Sequence, residues 1–325
     1  MKTRITELLG IKYPIIQGGL QGLGRAGLAA AVSEAGGLGL ITAGCFENAK
    51  ELEADIRLAR SLTGKPVGVN IAIGSRRSMD EYVDCVCDMG VPIVFTSGHN
   101  PEKYVAQLKE RRITWVHVSS AVRYAAKSEE MGANAVVLVG FEAGGHPGLD
   151  EVALSVLVRK AVDTLRVPVI AAGAISDARS MVAALALGAE GVQMGTRFVL
   201  TRESILHDRV KQALLAAGEG DTVIIERTLR KSRRVLRTAQ ADKVLAMEQQ
   251  GAGFEQLKSI VGGDAYLETI LQGRIDRGVL STGQCIGMLD DIPSVAELMQ
   301  EIVAGIPGVL SRLGGIMNPL AVESP

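Results

Sequence analysis

The residues best suited to chemistry lie in the stretch Gly140-Phe141-Glu142-Ala143-Gly144-Gly145-His146-Pro147-Gly148, directly after the apolar run Ala135–Val139. A histidine titrates near pH 6.5, so it takes up or releases a proton at neutral pH. Gly144, Gly145 and Gly148 leave His146 free to project from its loop. We read His146 as a general base; a hydrogen bond to loop backbone is the plainer alternative. Glu142 either orients loop N–H groups, meets the hydroxyls of a bound cofactor, or is solvated.

A second group consists of side-chain amides. Gln17, in Gln17-Gly18-Gly19-Leu20, and Asn70 and Gln193 all fall in apolar runs. A buried amide must find partners. Neighbouring backbone is the usual one, and the edge of a flat polar ring is the other. Two glycine turns complete the set: Ala172-Gly173-Ala174 and Gln193-Met194-Gly195-Thr196. Each alone reads as a tight turn. As a pair they suit a phosphate, because glycine lets backbone N–H groups approach an anion and Thr196 adds a hydroxyl. Three amides around one phosphate site describe a pocket for flavin mononucleotide (FMN). His99 is a candidate for the substrate pocket, His117 reads as mid-strand core and His207 as surface. The four histidines show no metal-ligand spacing, so no metal site is expected.

These residues need a scaffold that gathers distant loops. Apolar runs at 14–19, 38–43, 66–73, 92–97, 114–119, 135–140, 168–172 and 191–198 read as eight strands. Helical patterns separate them, at 24–35, from Asn48 onward, and at 79–89, 101–111, 122–131, 153–165 and 178–187. Strands that alternate with helices and are apolar throughout imply a parallel sheet buried on both faces. Eight such units in about 200 residues predict a (β/α)8 TIM barrel, an α/β fold whose loops after the strands converge on one mouth. An open dinucleotide-binding sheet is weaker, because no Gly-x-Gly-x-x-Gly follows the first strand. Beyond Phe198 the pattern turns helical, with segments at 204–217, 226–240 and 242–249 and a weak strand at 223–225. The expected division is a barrel of 1–203 and 279–325 with an inserted helical lobe, 204–278, over the mouth. Segments 283–289 and 294–303 would close the barrel.

Composition excludes several functions. Lys plus Arg total 35 and Asp plus Glu 36, a balance that argues against nucleic acid as the main partner. Aromatic content of 3 % offers few stacking platforms. No apolar run approaches the roughly 20 residues needed to cross a bilayer. The charged N-terminus lacks a signal-peptide pattern, so a cytoplasmic location is expected. Cys45, Cys85, Cys87 and Cys285 read as reduced thiols. The basic run Arg227, Arg230, Lys231, Arg233, Arg234 and Arg237 reads first as a solvated helix face. The sharper option is a surface for a nicotinamide dinucleotide or an acyl carrier protein.

Taken together, 14–20, 68–70, Glu142-Ala143-Gly144-Gly145-His146-Pro147-Gly148, 171–173 and 193–198 resemble the nitronate monooxygenase family over essentially the whole chain. The Glu-Ala-Gly-Gly-His loop is the specific part. The resemblance implies an FMN-binding barrel with His146 as the catalytic residue. It implies cofactor contacts from Gln17, Gly18, Gly19, Leu20, Asn70, Glu142, Gly144, Gly145, Ala172, Gly173, Gln193, Met194, Gly195 and Thr196. The activity it implies first is oxidation of alkyl nitronates with O2 to carbonyl compounds and nitrite. The family also holds NAD(P)H:quinone reductases and FMN-dependent enoyl-acyl-carrier-protein reductases. The opening Gln17-Gly18-Gly19-Leu20-Gln21 and the basic run lean towards those. Expected partners are a small-molecule substrate, O2 or a quinone as electron acceptor, NADH or NADPH as cosubstrate, and a second copy in a homodimer. Ala174 stands where relatives often carry a second glycine.

Overall fold

The computed structural model describes residues 1–74 and 77–317. Eight parallel strands form the centre: β1 Ile15–Gln17, β2 Gly39–Thr42, β3 Val67–Ile73, β4 Ile93–Gly98, β5 Thr114–Ser119, β6 Ala135–Val139, β7 Val169–Ala172 and β8 Gly191–Met194. They pair in the order β1-β8-β7-β6-β5-β4-β3-β2. A parallel bridge between Ile16 and Leu38 closes the ring. Alternation along each strand decides the two sides. Ile16, Leu40, Phe95, Val116, Val137 and Ile170 fill the barrel interior. Their neighbours Ile41, Val94 and Trp115, on the other face, pack under the surrounding helices. Both sides are therefore dry, which is why the strands read as unbroken apolar runs.

A first helix, α1 Arg4–Leu9, puts Ile5 and Leu9 into the interior cluster and plugs the bottom of the barrel. The outer ring is α2 Ala26–Glu34, α3 Ala49–Leu62, α4 Asp80–Asp88, α5 Glu102–Glu110, α6 Val122–Glu130, α7 Leu154–Thr164 and α8 Ala178–Ala186. Asn48 caps α3 by accepting from Glu51 N, and Asp177 caps α8 in a reciprocal pair with Ser180. The expected (β/α)8 barrel is thus present.

The chain after β8 departs from expectation in three places. The eighth strand ends at Met194 rather than 198. Gly195 leaves the extended region, and residues 196–199 turn into a short helix, α9 Thr196–Val199. After α10 Asp208–Leu215 comes an antiparallel hairpin, β9 Thr222–Ile225 and β10 Arg233–Leu236, where a helix over 226–240 was expected. Glu226 and Arg230 adopt left-handed φ of 60° and 53°, which turns the chain back instead of continuing a helix. Ile225 and Val235 then bury in one cluster with α11 Ala239–Gln249 and α12 Phe254–Val261. The basic run is consequently no solvated helix face: Arg233 and Arg234 are buried within β10. Helix α13 Gly263–Gln272 completes this segment, and α14 Val295–Met317 packs on α8 and α2, running well past 303. Of the expected 279–325 segment, residues 318–325 lie outside the described residues. No described helix is long and apolar enough to cross a membrane.

Candidate active site

The C-terminal ends of β1, β3 and β8 meet first. Gly18 N donates to Met194 O at 3.0 Å, extending the β1–β8 ladder. A Cβ on Gly18 would meet the Gln193 amide at 2.9 Å, and one on Gly19 would overlap Asn70 Oδ1. Glycine at these two positions is therefore what allows Gln193 and Asn70 to crowd the same spot. Asn70 Nδ2 makes long bonds to Phe95 O and Ser97 Oγ, at 3.4 and 3.3 Å. Gln193 Oε1 is buried with no partner among the described residues. Gln17 is different: it is fully buried, accepts from Leu40 N at 3.1 Å and donates to Gly18 O. Its amide is spent on backbone, so β1 offers the mouth the backbone of Gly18, Gly19 and Leu20. Met194 and Ala172 likewise bury their side chains in the core and present only backbone.

The ends of β7 and β8 form the second part. Gly173 has φ +126°, and Ala174 has φ +51°, a left-handed conformation that a Cβ resists. Thr196 Oγ1, at the start of α9, accepts from Gly283 N at 3.0 Å, which ties the turn after β8 to a segment expected only to close the barrel. Ser176 Oγ and Thr282 Oγ1 are buried without a partner among the described residues, as is Ser119 Oγ at the end of β5. Buried polar atoms are nearly always bonded, so several orphans around one mouth indicate a site that receives polar groups. A cofactor with a polar ring, hydroxyls and a phosphate meets these atoms in kind, and FMN fits the residues present.

The loop after β6 is held from three sides. Gly140 N donates to Ala172 O at 2.9 Å, continuing the β6–β7 pairing. Both carboxylate oxygens of Glu142 accept from Leu154 N, at 3.2 and 3.1 Å, so Glu142 orients the loop against α7. Gln284 N donates to Glu142 O at 3.0 Å. From the hairpin, Gly145 and Arg234 exchange two backbone hydrogen bonds of 3.1 and 2.7 Å. The Arg234 guanidinium donates twice to Phe141 O, at 3.0 and 2.9 Å, donates to Thr222 Oγ1 and lies 4.6 Å over the Phe141 ring. A Cβ on Gly144 would strike Gly283 N at 2.6 Å. The loop is thus clamped between β10 and residues 282–284.

His146 emerges from this clamp with its imidazole open to solvent. It makes no hydrogen bond to a described residue. Dense protein around the recess lowers its pKa below the ordinary 6.5, and the charges of Arg233 and Lys231 lower it further. Solvent access softens the first effect and leaves the direction unchanged. His146 is therefore neutral at pH 7, the form that accepts a proton. His99 is exposed at the end of β4, and His207 is exposed and caps α10. His117 is buried, bonded through Nδ1 to Thr96 Oγ1 at 2.8 Å, and burial pushes it down to about 4. The four cysteines are free, and burial raises each thiol pKa, so none is a thiolate at neutral pH. No cluster suited to a metal ion occurs among the described residues. A hollow of about 650 Å³ lies at the opposite end of the barrel, lined by Gly10, Arg60 and Lys65, and takes no part in this site.

Sequence reasoning named Arg233 and Arg234 only as part of a basic run and did not place them beside the loop after β6; it missed Ser176 and the Thr282-Gly283 turn. The one local signal for the hairpin was Val223-Ile224-Ile225 followed after the basic turn by Val235-Leu236.

The family model described as nitronate monooxygenase matches residues 2–305. FabK from Thermotoga maritima superposes with a TM-score of 0.93 at 39 % identity, covering 98 % of this chain and all of that one. A Rhodococcus jostii protein named (3aS,4S,5R,7aS)-5-hydroxy-7a-methyl-1-oxo-octahydro-1H-indene-4-carboxyl-CoA dehydrogenase is 31 % identical over 97 % of this chain and 99 % of its own. A Staphylococcus aureus protein named probable nitronate monooxygenase is 35 % identical over 69 % of this chain and 75 % of its own.

Proposed function

This chain belongs to the nitronate monooxygenase family of oxidoreductases, and we propose that it exchanges a hydride between NAD(P)H and an acyl thioester, using FMN. The carrying observation is His146 in the mouth with a buried cation, Arg233, as its cross-strand neighbour. That arrangement suits a substrate whose α-carbon gains or loses a proton while charge develops on an adjacent oxygen. The FabK likeness fits the enoyl-acyl-carrier-protein reductase branch, and the Rhodococcus relative is named for a CoA thioester.

Gln193, Asn70 and the backbone of Gly18, Gly19 and Leu20 would hold the ring of FMN. Gly173, Gly195 and Thr196 would hold its phosphate, with Ser176 and Thr282 supplying hydroxyls. Bound flavin supplies the redox chemistry, taking up a hydride and passing it on. The chain supplies the rest. His146 accepts the α-proton of a saturated thioester. In the reductive direction it returns a proton once negative charge nearby has raised its pKa. Glu142 and Arg234 keep the loop in place.

Nitronate oxidation is the second reading, favoured by the name of the Staphylococcus relative. There His146 would orient the anion or remove the α-proton of a neutral nitroalkane. Anaerobic mixing separates the two. NADH or NADPH should bleach the flavin within seconds, and crotonyl-CoA should restore its colour. No bleaching by either nucleotide, with rapid bleaching by propyl-2-nitronate, would replace the first reading by the second.

A further inference from the structure

The exchange of backbone bonds between Gly145 and Arg234 fixes what stands beside the catalytic histidine. One residue along each chain from that pair are His146 and Arg233, which become cross-strand neighbours. Arg233 is also the leading charge acting on the imidazole, ahead of Lys231. Arg234 points the other way, to Phe141 and Thr222, as alternation along β10 requires.

Arg233 is 9 % exposed. Its Nε donates to Ser281 Oγ at 3.1 Å, its Nη1 reaches Val261 O at 3.5 Å, and its guanidinium lies 5.2 Å over the Tyr266 ring. These contacts aim the fork without neutralising it. Nη2 makes no hydrogen bond among the described residues, and it is not one of the orphan atoms sealed from solvent. A buried cation is costly unless negative charge comes to meet it. No carboxylate among the described residues makes an ion pair with Arg233. Tyr266 donates its hydroxyl to Gln21 O and burial raises its pKa to about 12, while Lys231 is itself a cation and lies over the Phe254 ring.

We propose that Arg233 is a substrate-contacting residue, whose guanidinium receives the thioester carbonyl oxygen as charge builds on it. The proposal rests on the acyl-thioester reading above. When the β-carbon of a 2-enoyl thioester gains the hydride originating from NAD(P)H, the electron pair of the double bond shifts to the carbonyl oxygen as an enolate. A proton then joins the α-carbon, the oxygen returns to a carbonyl, and NAD(P)+ remains. Arg233 binds that oxygen during the charged interval, with His146 beside it for the proton. Burial holds the His146 pKa down first, and the Arg233 charge adds to it in the same direction until the enolate arrives.

The test is equilibrium binding to the flavin-loaded full chain. The probe is acetoacetyl-CoA, which ionises to an enolate and has no carbon–carbon double bond to reduce; free CoA is the control. Arg233→Gln should weaken acetoacetyl-CoA on the order of 10- to 100-fold, the loss of one charged hydrogen bond, and leave free CoA unchanged. Arg233→Lys should fall between. Equal affinity for acetoacetyl-CoA in wild type and Arg233→Gln overturns the proposal. So does an equal loss for free CoA, which would assign Arg233 to the carrier rather than the oxygen. If Arg233→Gln fails to hold flavin, Arg233→Lys decides: a point charge without the fork weakens the probe several-fold or the proposal fails. A wild-type protein that neither binds acetoacetyl-CoA nor passes hydride to crotonyl-CoA sinks the thioester reading itself, a different outcome from wild-type binding that ignores Arg233.

Discussion

Replacing Arg234 by alanine should cut turnover without touching any group that contacts substrate. Its guanidinium makes two bonds to one carbonyl, Phe141 O, a third to Thr222 Oγ1 at 2.9 Å, and a cation–π contact. The converging pair counts as one charged hydrogen bond, about 1.5–3 kcal/mol, and the ring contact adds about 0.5–2 kcal/mol. Part of this returns, because burying the cation is itself costly and the half-buried loop lets water reach the freed carbonyl. A net loss of about 2–3 kcal/mol is expected in urea unfolding. The backbone pair between Gly145 and Arg234 survives the substitution, so the loop stays docked while losing its lateral hold. A displacement of His146 by about 1 Å is enough to lower kcat on the order of 100-fold. Arg234→Lys should recover little, because a point charge cannot fork to Phe141 O. The assays are kcat with crotonyl-CoA and NADH, flavin content, and limited proteolysis across 140–148. An Arg234→Ala protein with wild-type kcat and unchanged loop protection would refute the clamp.

Three further outcomes follow from the same geometry. His117 is buried neutral with its pKa pushed to about 4 against 6.5 unfolded, so the unfolded chain binds the extra proton between those values. Its contribution is complete above pH 6.5 and is lost as pH falls towards 4, about 3 kcal/mol in all; urea midpoints at stepped pH should show this slope, and His117→Gln should flatten it. Gly19→Ala forces a Cβ into Asn70 and should weaken flavin binding about tenfold, a cost of about 1.4 kcal/mol, read by fluorescence titration of the stripped protein. Ala174→Gly relieves a left-handed alanine at φ +51° and should raise stability by about 0.5–1 kcal/mol in urea unfolding; a loss there would mean that the strain is not real.

The barrel and most of the mouth were legible because the signals are local. Each strand is buried on both faces and so is apolar throughout, and each glycine or amide at a strand end inherits its place from the fold. Asn48 and Asp177 announce their helices through their own side chains. The roles inside the mouth were less legible. Gln17, Asn70 and Gln193 look alike in sequence, yet Gln17 is consumed by Leu40 N and Gly18 O while Gln193 Oε1 is left open. Burial and partners separate them, and neither is written in residue type.

The sequence by itself determined a parallel eight-stranded barrel and a histidine on its sixth loop, since periodicity and turn chemistry act over a few residues. The tertiary structure alone decided what holds that histidine and what stands beside it. Residues 226–237 carry enough charge and helix formers to read as a solvated helix. Burial of Ile225 and Val235 against α11 and α12 instead stabilises a hairpin. Pairing of β10 with Gly145, nearly ninety positions away, then brings Arg234 to the back of the loop and Arg233 to its front. A contact at that separation leaves no local pattern, because each partner satisfies its own neighbourhood equally well without the other.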